Sequence, residues 1–328
     1  MVSALWPAIY TIRNGNGTAK HLLHSGQTHH NTIAMTEPES SGAIPSGYHN
    51  VAKGWTSTIY RPGHTGRVVK VLTGFAGIGP QAYFDRERSI YERLWFPSSN
   101  NTTPPQAILQ YFGPDPHFAT GLTLEWATSG NLNDYVWKHT HIPENQLIRW
   151  AHQAAEGLHY IHTRNILHCD IYVSNFFLDD NLNLRIGDFG ASSIDGADPL
   201  LMYRSTHQLW KPVEDGDPSK DGSGFRKDYS VRSEIFALGS AIYHMGTGHD
   251  LWEAELEQER DKVELCKRMQ GKKMLGMEKE MSVLGEVVKK CWQVEYESMK
   301  DVVEDIEKQF PMSFRVDSAP PVGNSDGD

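Results

Sequence analysis

Two short motifs decide the fold of this chain: HCDIYVSN at residues 168–175 and DFG at 188–190. Asp170 and Asn175 lie in the first motif, and Asp188 opens the second after a short predicted strand. The amide oxygen of Asn175 and the carboxylate of Asp188 are hard ligands of the kind that Mg²⁺ accepts. Each residue alone is typical of a loop or a turn. The spaced set instead predicts one site built from two loops.

An apolar strand and an amphipathic helix precede these loops in the chain. Lys70 lies in the middle of RVVKVL at 67–72, a β-branched run that predicts a strand. Residues 81–95 have a helical period that places Glu87 on the apolar face. A lysine in such a strand is often an edge charge that reaches water. However, an unpaired buried carboxylate is costly, so the pattern favours an ion pair between Lys70 and Glu87.

Together these residues resemble the eukaryotic protein kinase superfamily, whose catalytic and metal-binding loops carry motifs of this kind. The resemblance covers residues 48–311 and is similar to compact kinases of filamentous fungi. It implies an α+β, two-lobed fold, with a small β-rich lobe at 48–126 and a larger helical lobe at 127–311. Residues 1–47 are expected to form a disordered extension, and residues 312–328 a disordered tail.

The resemblance implies transfer of the γ-phosphate of ATP, assisted by Mg²⁺, to a protein hydroxyl, with serine or threonine preferred over tyrosine. Asp170 would accept or orient the proton of the acceptor hydroxyl. Lys70 and Glu87 would together hold the α- and β-phosphates. Asn175 and Asp188 would bind the metal. The protein substrate is not identified by the sequence.

The resemblance also implies a set of nucleotide-binding residues in the small lobe and the hinge. Gly54 is the glycine that remains of the family's phosphate-covering loop, in the stretch AKGWTSTI at 52–59. Leu124 would fill the gatekeeper position. The backbones of Glu125 and Ala127 would hydrogen-bond to adenine.

Several positions depart from the family pattern. Cys169 stands where an arginine that binds an activation-loop phosphate is usual, so we expect activity that does not depend on such a phosphate. Tyr172 replaces a lysine that assists transfer in serine/threonine kinases. Glu234 replaces the aspartate that braces the catalytic loop. The end of the activation segment survives only as KPVE at 211–214.

These departures leave two alternatives open beside an active protein kinase. One is a pseudokinase, a binding or scaffolding module that keeps the fold but has no useful turnover. The other is a small-molecule kinase, because aminoglycoside- and choline-type kinases share the H-x-D-x-x-x-x-N pattern. Such enzymes usually lack the DFG setting and the Cys291-Trp292 pair of a late helix.

Composition limits the partners and the compartment. The chain has 328 residues, with 31 Lys and Arg against 41 Asp and Glu, and its formal net charge is −10. An acidic chain of this kind is not expected to bind nucleic acid, and no apolar run is long enough to cross a membrane. Three cysteines make no disulfide framework. We therefore expect an intracellular protein, cytoplasmic or nuclear, with a monomer as the default state.

The remaining pattern predicts the elements of the larger lobe. Pro143 opens a long helix, and a small hairpin joins 176–178 to 184–187. Ser233 is expected to cap a helix that is buried all round. Further helices are predicted at 251–269 and 282–309.

Overall fold

The structure is a computed structural model of the chain. It describes residues 11–13, 19–21, 44–54, 56–73, 78–96, 106–201, 204–212, 225–252 and 276–314. Its main sheet lies in the earlier part of the chain, and most of its helices lie in the later part. The predicted α+β fold with two unequal lobes is therefore confirmed.

A five-stranded antiparallel sheet forms the small lobe. Its strands are β3 Tyr48–Lys53, β4 Ser57–Pro62, β5 Arg67–Leu72, β6 Tyr111–Pro114 and β7 Gly121–Glu125. Across the sheet they lie in the order β3-β4-β5-β7-β6. The central strand β5 matches the predicted one, and Val68 and Val69 are fully buried in it. Lys70 pairs with Ile59 on β4 and with Leu122 on β7, so it lies at the middle of the sheet.

Helix α1, Pro80–Trp95, packs against this sheet. It begins at a proline, whose missing N–H costs no hydrogen bond in the first turn of a helix. The face predicted from the 3.6-residue period is buried along its whole length: Tyr83, Glu87, Ile90, Tyr91 and Leu94. Because Glu87 lies on this buried face, its carboxyl group points toward the sheet, where it accepts from Lys70.

Within the described ranges, five further helices belong to the large lobe. They are α2 Leu132–Lys138, α3 Glu144–His162, α4 Val231–Thr247, α5 Gly285–Trp292 and α6 Met299–Gln309. Helix α4 is the centre of this lobe, since every residue from 233 to 245 is buried. Gly239 permits its contact with α5, because a Cβ atom there would lie 2.6 Å from the Cβ of Cys291.

Short strands fix the two motif loops between the lobes. They are β8 Gly130–Asn131, β9 Ile166–Leu167, β10 Phe176–Leu178, β11 Leu184–Ile186 and β12 Ser193–Ile194. Strands β10 and β11 form the predicted hairpin, and β12 pairs with β9. The loop at 168–175 therefore leaves β9, and the loop at 188–190 runs from β11 toward β12. Strand β13, Trp210–Pro212, pairs with β14, Phe225–Lys227.

Two helix predictions are wrong in detail. Helix α4 is capped by Ser230, and Ser233 is the third residue of the helix, where its hydroxyl accepts from the Ser230 N–H at 2.9 Å. The single helix predicted at 282–309 is two helices, because Ser298 starts a new one with a capping box. Of the predicted helix at 251–269, all but the first two residues lie outside the described residues, as does the loop at 215–224.

Little of the predicted N-terminal extension is described. Strands β1, Thr11–Arg13, and β2, Ala19–His21, pair antiparallel there and were not predicted. The chain after α6 continues as a 3₁₀ helix, Pro311–Phe314, and residues 315–328 lie outside the described residues. The proposed domain limits stay predictions. Within the described ranges, no helix has the length and apolar character needed to cross a membrane.

Candidate active site

A buried lysine joins the small lobe to the loop that begins at Asp188. The Lys70 ammonium donates to Glu87 Oε2 at 2.8 Å, to Glu87 Oε1 at 3.0 Å and to Asp188 Oδ1 at 2.6 Å. The side chains of Lys70 and Glu87 are fully buried, while that of Asp188 keeps 24% of its exposure. The sequence placed these residues apart on a strand, a helix and a loop, and the structure brings all three together.

Burial and charge act in opposite directions on these groups. Burial opposes the charged form of Lys70, but the carboxylates of Asp188 and Glu87 outweigh it and raise its pKa. Burial raises the pKa of Glu87 to about 7, although Lys70 lowers it. The pKa of Asp188 is also raised by burial, but the ammonium of Lys70 outweighs this effect and lowers it overall. Lys70 and Asp188 are therefore both held in their charged forms.

The loop at 168–175 holds Asp170 beside Asn175. The Nδ2 atom of Asn175 donates to Asp170 Oδ2 at 2.9 Å and to the Asp170 carbonyl oxygen at 2.8 Å. These two bonds occupy both hydrogens of the amide, so its oxygen is the atom left to act as a ligand. Burial raises the pKa of Asp170 to about 6. At neutral pH Asp170 is a carboxylate that accepts a proton more readily than an ordinary aspartate.

His168 links this loop to the residues before Asp188. Its Nδ1 atom accepts from the Asp170 N–H at 3.3 Å, and its Nε2 atom donates to the Gly187 carbonyl oxygen at 3.0 Å. Phe189 packs between His168, at 5.2 Å between ring centroids, and Tyr91 of α1, at 5.1 Å. His168 belongs to the motif at 168–175, but the sequence alone predicts no function for it. Its contacts join the two loops, together with the hydrogen bond from the Gly187 N–H to the Asn175 carbonyl oxygen at 3.1 Å.

Glu234 of α4 is hydrogen-bonded to the backbone of the same loop. Its fully buried carboxylate accepts from the backbone N–H of His168 and of Cys169, both at 2.9 Å, and lies 3.1 Å from His162 Nε2. Cys169 has a φ angle of 60°, which is strained for a residue other than glycine. The glutamate therefore reaches the loop at 168–175 in spite of its extra methylene and bonds to its strained backbone.

Tyr172, two residues after Asp170, is buried and supplies no cation. Its hydroxyl donates to Asp250 Oδ2 at 3.1 Å, and the guanidinium carbon of Arg204 lies 3.5 Å from the centroid of its ring. The position that the family fills with lysine is here a packing and hydrogen-bonding position. The nearby positive charge belongs to Arg204, and no pattern in the sequence indicates that it lies beside this loop.

The predicted nucleotide residues lie in two parts of the small lobe, the turn between β3 and β4 and the end of β7. The Gly54 N–H donates to the Ser57 carbonyl oxygen at 2.7 Å, so it closes the turn between β3 and β4. Leu124 is fully buried in β7. The Glu125 N–H donates to the Gln110 carbonyl oxygen at 2.9 Å, so any bond from its backbone to a nucleotide must come from its carbonyl oxygen.

The Ala127 backbone already takes part in a turn. Its carbonyl oxygen accepts from the Gly130 N–H at 3.1 Å. The Ala127 N–H is therefore the group that we assign to a nucleotide. This residue is fully buried at the point where the chain leaves β7 for the large lobe.

The residues predicted to bind a metal do not form a complete cage. Among the described residues, no group of three or more His, Cys, Asp or Glu side chains is arranged to hold a metal ion. Asp188 and Asn175 offer two oxygen donors, and Asp170 adds negative charge beside them. Such a partial set suits Mg²⁺, which commonly takes one or two protein ligands and completes its shell with phosphates and water.

Comparison with known proteins identifies the family. The family model of the protein kinase domain matches residues 107–309. This chain belongs to the protein kinase family. The match begins before β6 and runs through α6, so it includes both motif loops of the kinase and every large-lobe helix from α2 to α6 in the part of the chain that the structure describes.

The individual relatives match a shorter part of the chain than the family model does. The kinase is 32% identical over 145 residues to the serine/threonine-protein kinase A-Raf of mouse and, over the same length, to that of human. The aligned part is 40% of this chain and 22% of each relative. The chain therefore matches about a fifth of the length of these curated relatives, so the activity of the whole relative does not pass to it directly.

Proposed function

We propose that this kinase transfers the γ-phosphate of Mg-ATP to a serine or threonine hydroxyl of a protein. One observation carries the proposal: the Lys70–Glu87–Asp188 cluster lies close enough to the Asp170–Asn175 pair for the charges of Lys70 and Asp188 to act on Asp170. Phosphate transfer requires positioning and charge neutralisation more than covalent chemistry by the protein. The residues at this cleft are of the types and charges that such a reaction needs.

Each residue has a separate part in the proposed reaction. Lys70, fixed by Glu87, binds phosphate oxygens. Asp170 accepts the proton of the acceptor hydroxyl while the hydroxyl oxygen bonds to the γ-phosphorus and the bond to the β-phosphate oxygen breaks. Asn175 orients Asp170 through its amide nitrogen.

The donor set also fits a divalent cation. Glu87 and Asp188 contact the Lys70 ammonium, and Asp170 adds a third carboxyl group near enough to interact with it, so carboxyl groups outnumber the ammonium at this site. Asn175 and Asp188 would hold Mg²⁺. When bound, the metal neutralises phosphate charge.

Support for serine or threonine as the acceptor comes from the named relatives. Both are serine/threonine-protein kinases, and the matched segment is 32% identical. We further propose that the kinase acts as a monomer in the cytoplasm or nucleus on a protein partner. Its net charge of −10 argues against a nucleic-acid partner.

The test is phosphate transfer from labelled Mg-ATP to a peptide library in which serine, threonine or tyrosine is the acceptor. We expect labelled phosphoserine or phosphothreonine in excess of phosphotyrosine. Nucleotide binding is measured separately, as the rise in melting temperature with millimolar Mg-ATP. Binding without transfer to any peptide or protein would favour the pseudokinase alternative, and the absence of both would reject the proposal.

A further inference from the structure

Two arginines on the outer part of α1 reach the segment that follows DFG. Arg93 makes a bidentate ion pair with Asp195, with its Nη1 and Nη2 atoms each 2.7 Å from one carboxylate oxygen. Arg86 donates through Nη1 to the carbonyl oxygens of Ser192 and, at 3.1 Å, of Asp198. We call these two arginines with residues 192–198 the arginine clamp. Its two attachment points are about two helical turns apart on α1.

The segment held by the clamp is also bonded to the catalytic side of the large lobe. Strand β12 pairs with β9, directly before the loop at 168–175. The Asp195 N–H donates to the Asn165 carbonyl oxygen at 2.9 Å, and the Ser192 hydroxyl donates to the His168 carbonyl oxygen at 2.8 Å. The clamp therefore connects α1 to the catalytic loop through a segment that is fixed on both sides.

The geometry of α1 makes this connection relevant to Lys70. Glu87 is the residue next to Arg86, and its carboxylate is bonded to Lys70. A rigid helix that is attached at two points separated along its axis can neither rotate nor swing outward without breaking one attachment. Outward movement of α1 would separate Glu87 from Lys70, and the phosphate-binding arrangement would be lost.

The burial of the hydroxyl groups in this segment also indicates that the segment is held in place. Within residues 192–198 the two hydroxyl side chains, Ser192 and Ser193, have relative exposures of 0% and 5%. A modifying enzyme cannot reach them unless the segment opens. Cys169 offers no cation to a phosphate on this segment. The ordered segment is held by arginine and backbone contacts in place of a phosphate.

We propose that Arg86 and Arg93 are positioning residues that keep Glu87 on Lys70, so that this kinase holds its active geometry without phosphorylation of the activation segment. The inference rests on the proposed function, since it concerns the regulation of the same site. An exposed ion pair is usually weak, but bidentate geometry and attachment at several points make the contacts act together.

The experiment compares the Arg86→Ala/Arg93→Ala double variant with Arg88→Ala. Arg88 lies on the same helix but pairs with Glu92 of that helix at 2.7 Å, so it is a matched control. We expect the double variant to lose at least tenfold in kcat/KM for ATP and the control to stay within twofold. Arg93→Lys, which keeps the charge but not the fork, should lie between Arg93→Ala and the wild type.

Hydrogen exchange gives a readout that does not depend on turnover. In the double variant the amides of α1 and of residues 192–198 should both exchange faster, with unchanged exchange in α3 and α4. Phosphatase treatment of the wild type should change its rate by less than twofold. The inference is overturned if the double variant matches Arg88→Ala in both readouts, or if phosphatase lowers the wild-type rate tenfold. A wild type without transfer rejects the proposed function, while hydrogen exchange still tests the clamp.

Discussion

Replacement of Glu234 by glutamine tests how the catalytic loop is held. The carboxylate accepts two backbone N–H groups at 2.9 Å, those of His168 and Cys169, in a site with no solvent exposure. Glutamine has nearly the same shape but only one acceptor oxygen, and its NH₂ group would face the second N–H. The variant therefore loses one charge-assisted hydrogen bond and leaves a buried donor unpaired.

The magnitude follows from these two losses. A hydrogen bond to a charged group contributes about 1.5–3 kcal/mol, and an unsatisfied buried donor costs about 1–3 kcal/mol. Because the two terms overlap, we expect Glu234→Gln to lower the free energy of unfolding by about 3 kcal/mol. For a domain of this size that corresponds to a fall in melting temperature on the order of 5–10 °C.

The assay is thermal unfolding followed by circular dichroism, with Glu286→Gln as the control. Glu286 lies on α5 with a side chain that is 66% exposed, so the same chemical change there should shift the melting temperature by less than 1–2 °C. We also expect a lower transfer rate in Glu234→Gln, since Asp170 directly follows the loosened residues. A melting temperature equal to that of the control would refute the conclusion that this carboxylate holds the loop.

Three further predictions concern charge. Because burial raises the pKa of Asp170 to about 6, kcat/KM should rise with pH through about 6 and then level off. A flat pH profile of kcat/KM from pH 5 to 7 would contradict the assignment of Asp170 as the base. Lys70→Met should abolish the rise in melting temperature with Mg-ATP, and a wild-type rise would show that another group binds the phosphates. Burial lowers the pKa of His152, but Glu156 and Glu307 outweigh it and raise the pKa overall. The protonated imidazole therefore stabilises the fold below about pH 6.5, and this stabilisation is lost as pH rises through the raised pKa. We expect His152→Gln to destabilise the kinase more at pH 6 than at pH 8.5. Equal losses of stability at the two pH values would contradict this expectation.

The part of the site that could be predicted depends on local patterns. The strand around Lys70 and the helix that carries Glu87 are visible as periods of apolar residues, and the cost of a buried carboxylate points to their pairing. The two motif loops are recognisable because their residues are close in sequence.

Contacts between distant surface residues left no such signal. Arg93 and Asp195 are 102 residues apart, and both resemble ordinary solvated charges when read in sequence. Arg204 and Tyr172 likewise come from separate segments, and the buried Tyr172 ring gives no sign in the sequence that a guanidinium will pack on it. Such pairs depend on how two elements meet in space, which neither propensity nor spacing specifies.

The helix boundaries were missed for a different reason. Apolar residues continue with a helical period through 293–298, and neither glycine nor proline interrupts them. The signal that was available is the capping box of Ser298 and Asp301, in which each side chain accepts from the backbone N–H of the other residue. A similar serine pair, Ser230 and Ser233, marks the true start of α4.

The most direct test of the central claim is phosphate transfer by wild type and Asp170→Asn, measured side by side on the same protein acceptor. Asparagine keeps the shape of the side chain but cannot accept the hydroxyl proton. We predict measurable transfer by the wild type and a fall of about 10²–10⁴-fold in the variant, with an unchanged Mg-ATP-dependent rise in melting temperature. Wild-type turnover in Asp170→Asn would contradict the account.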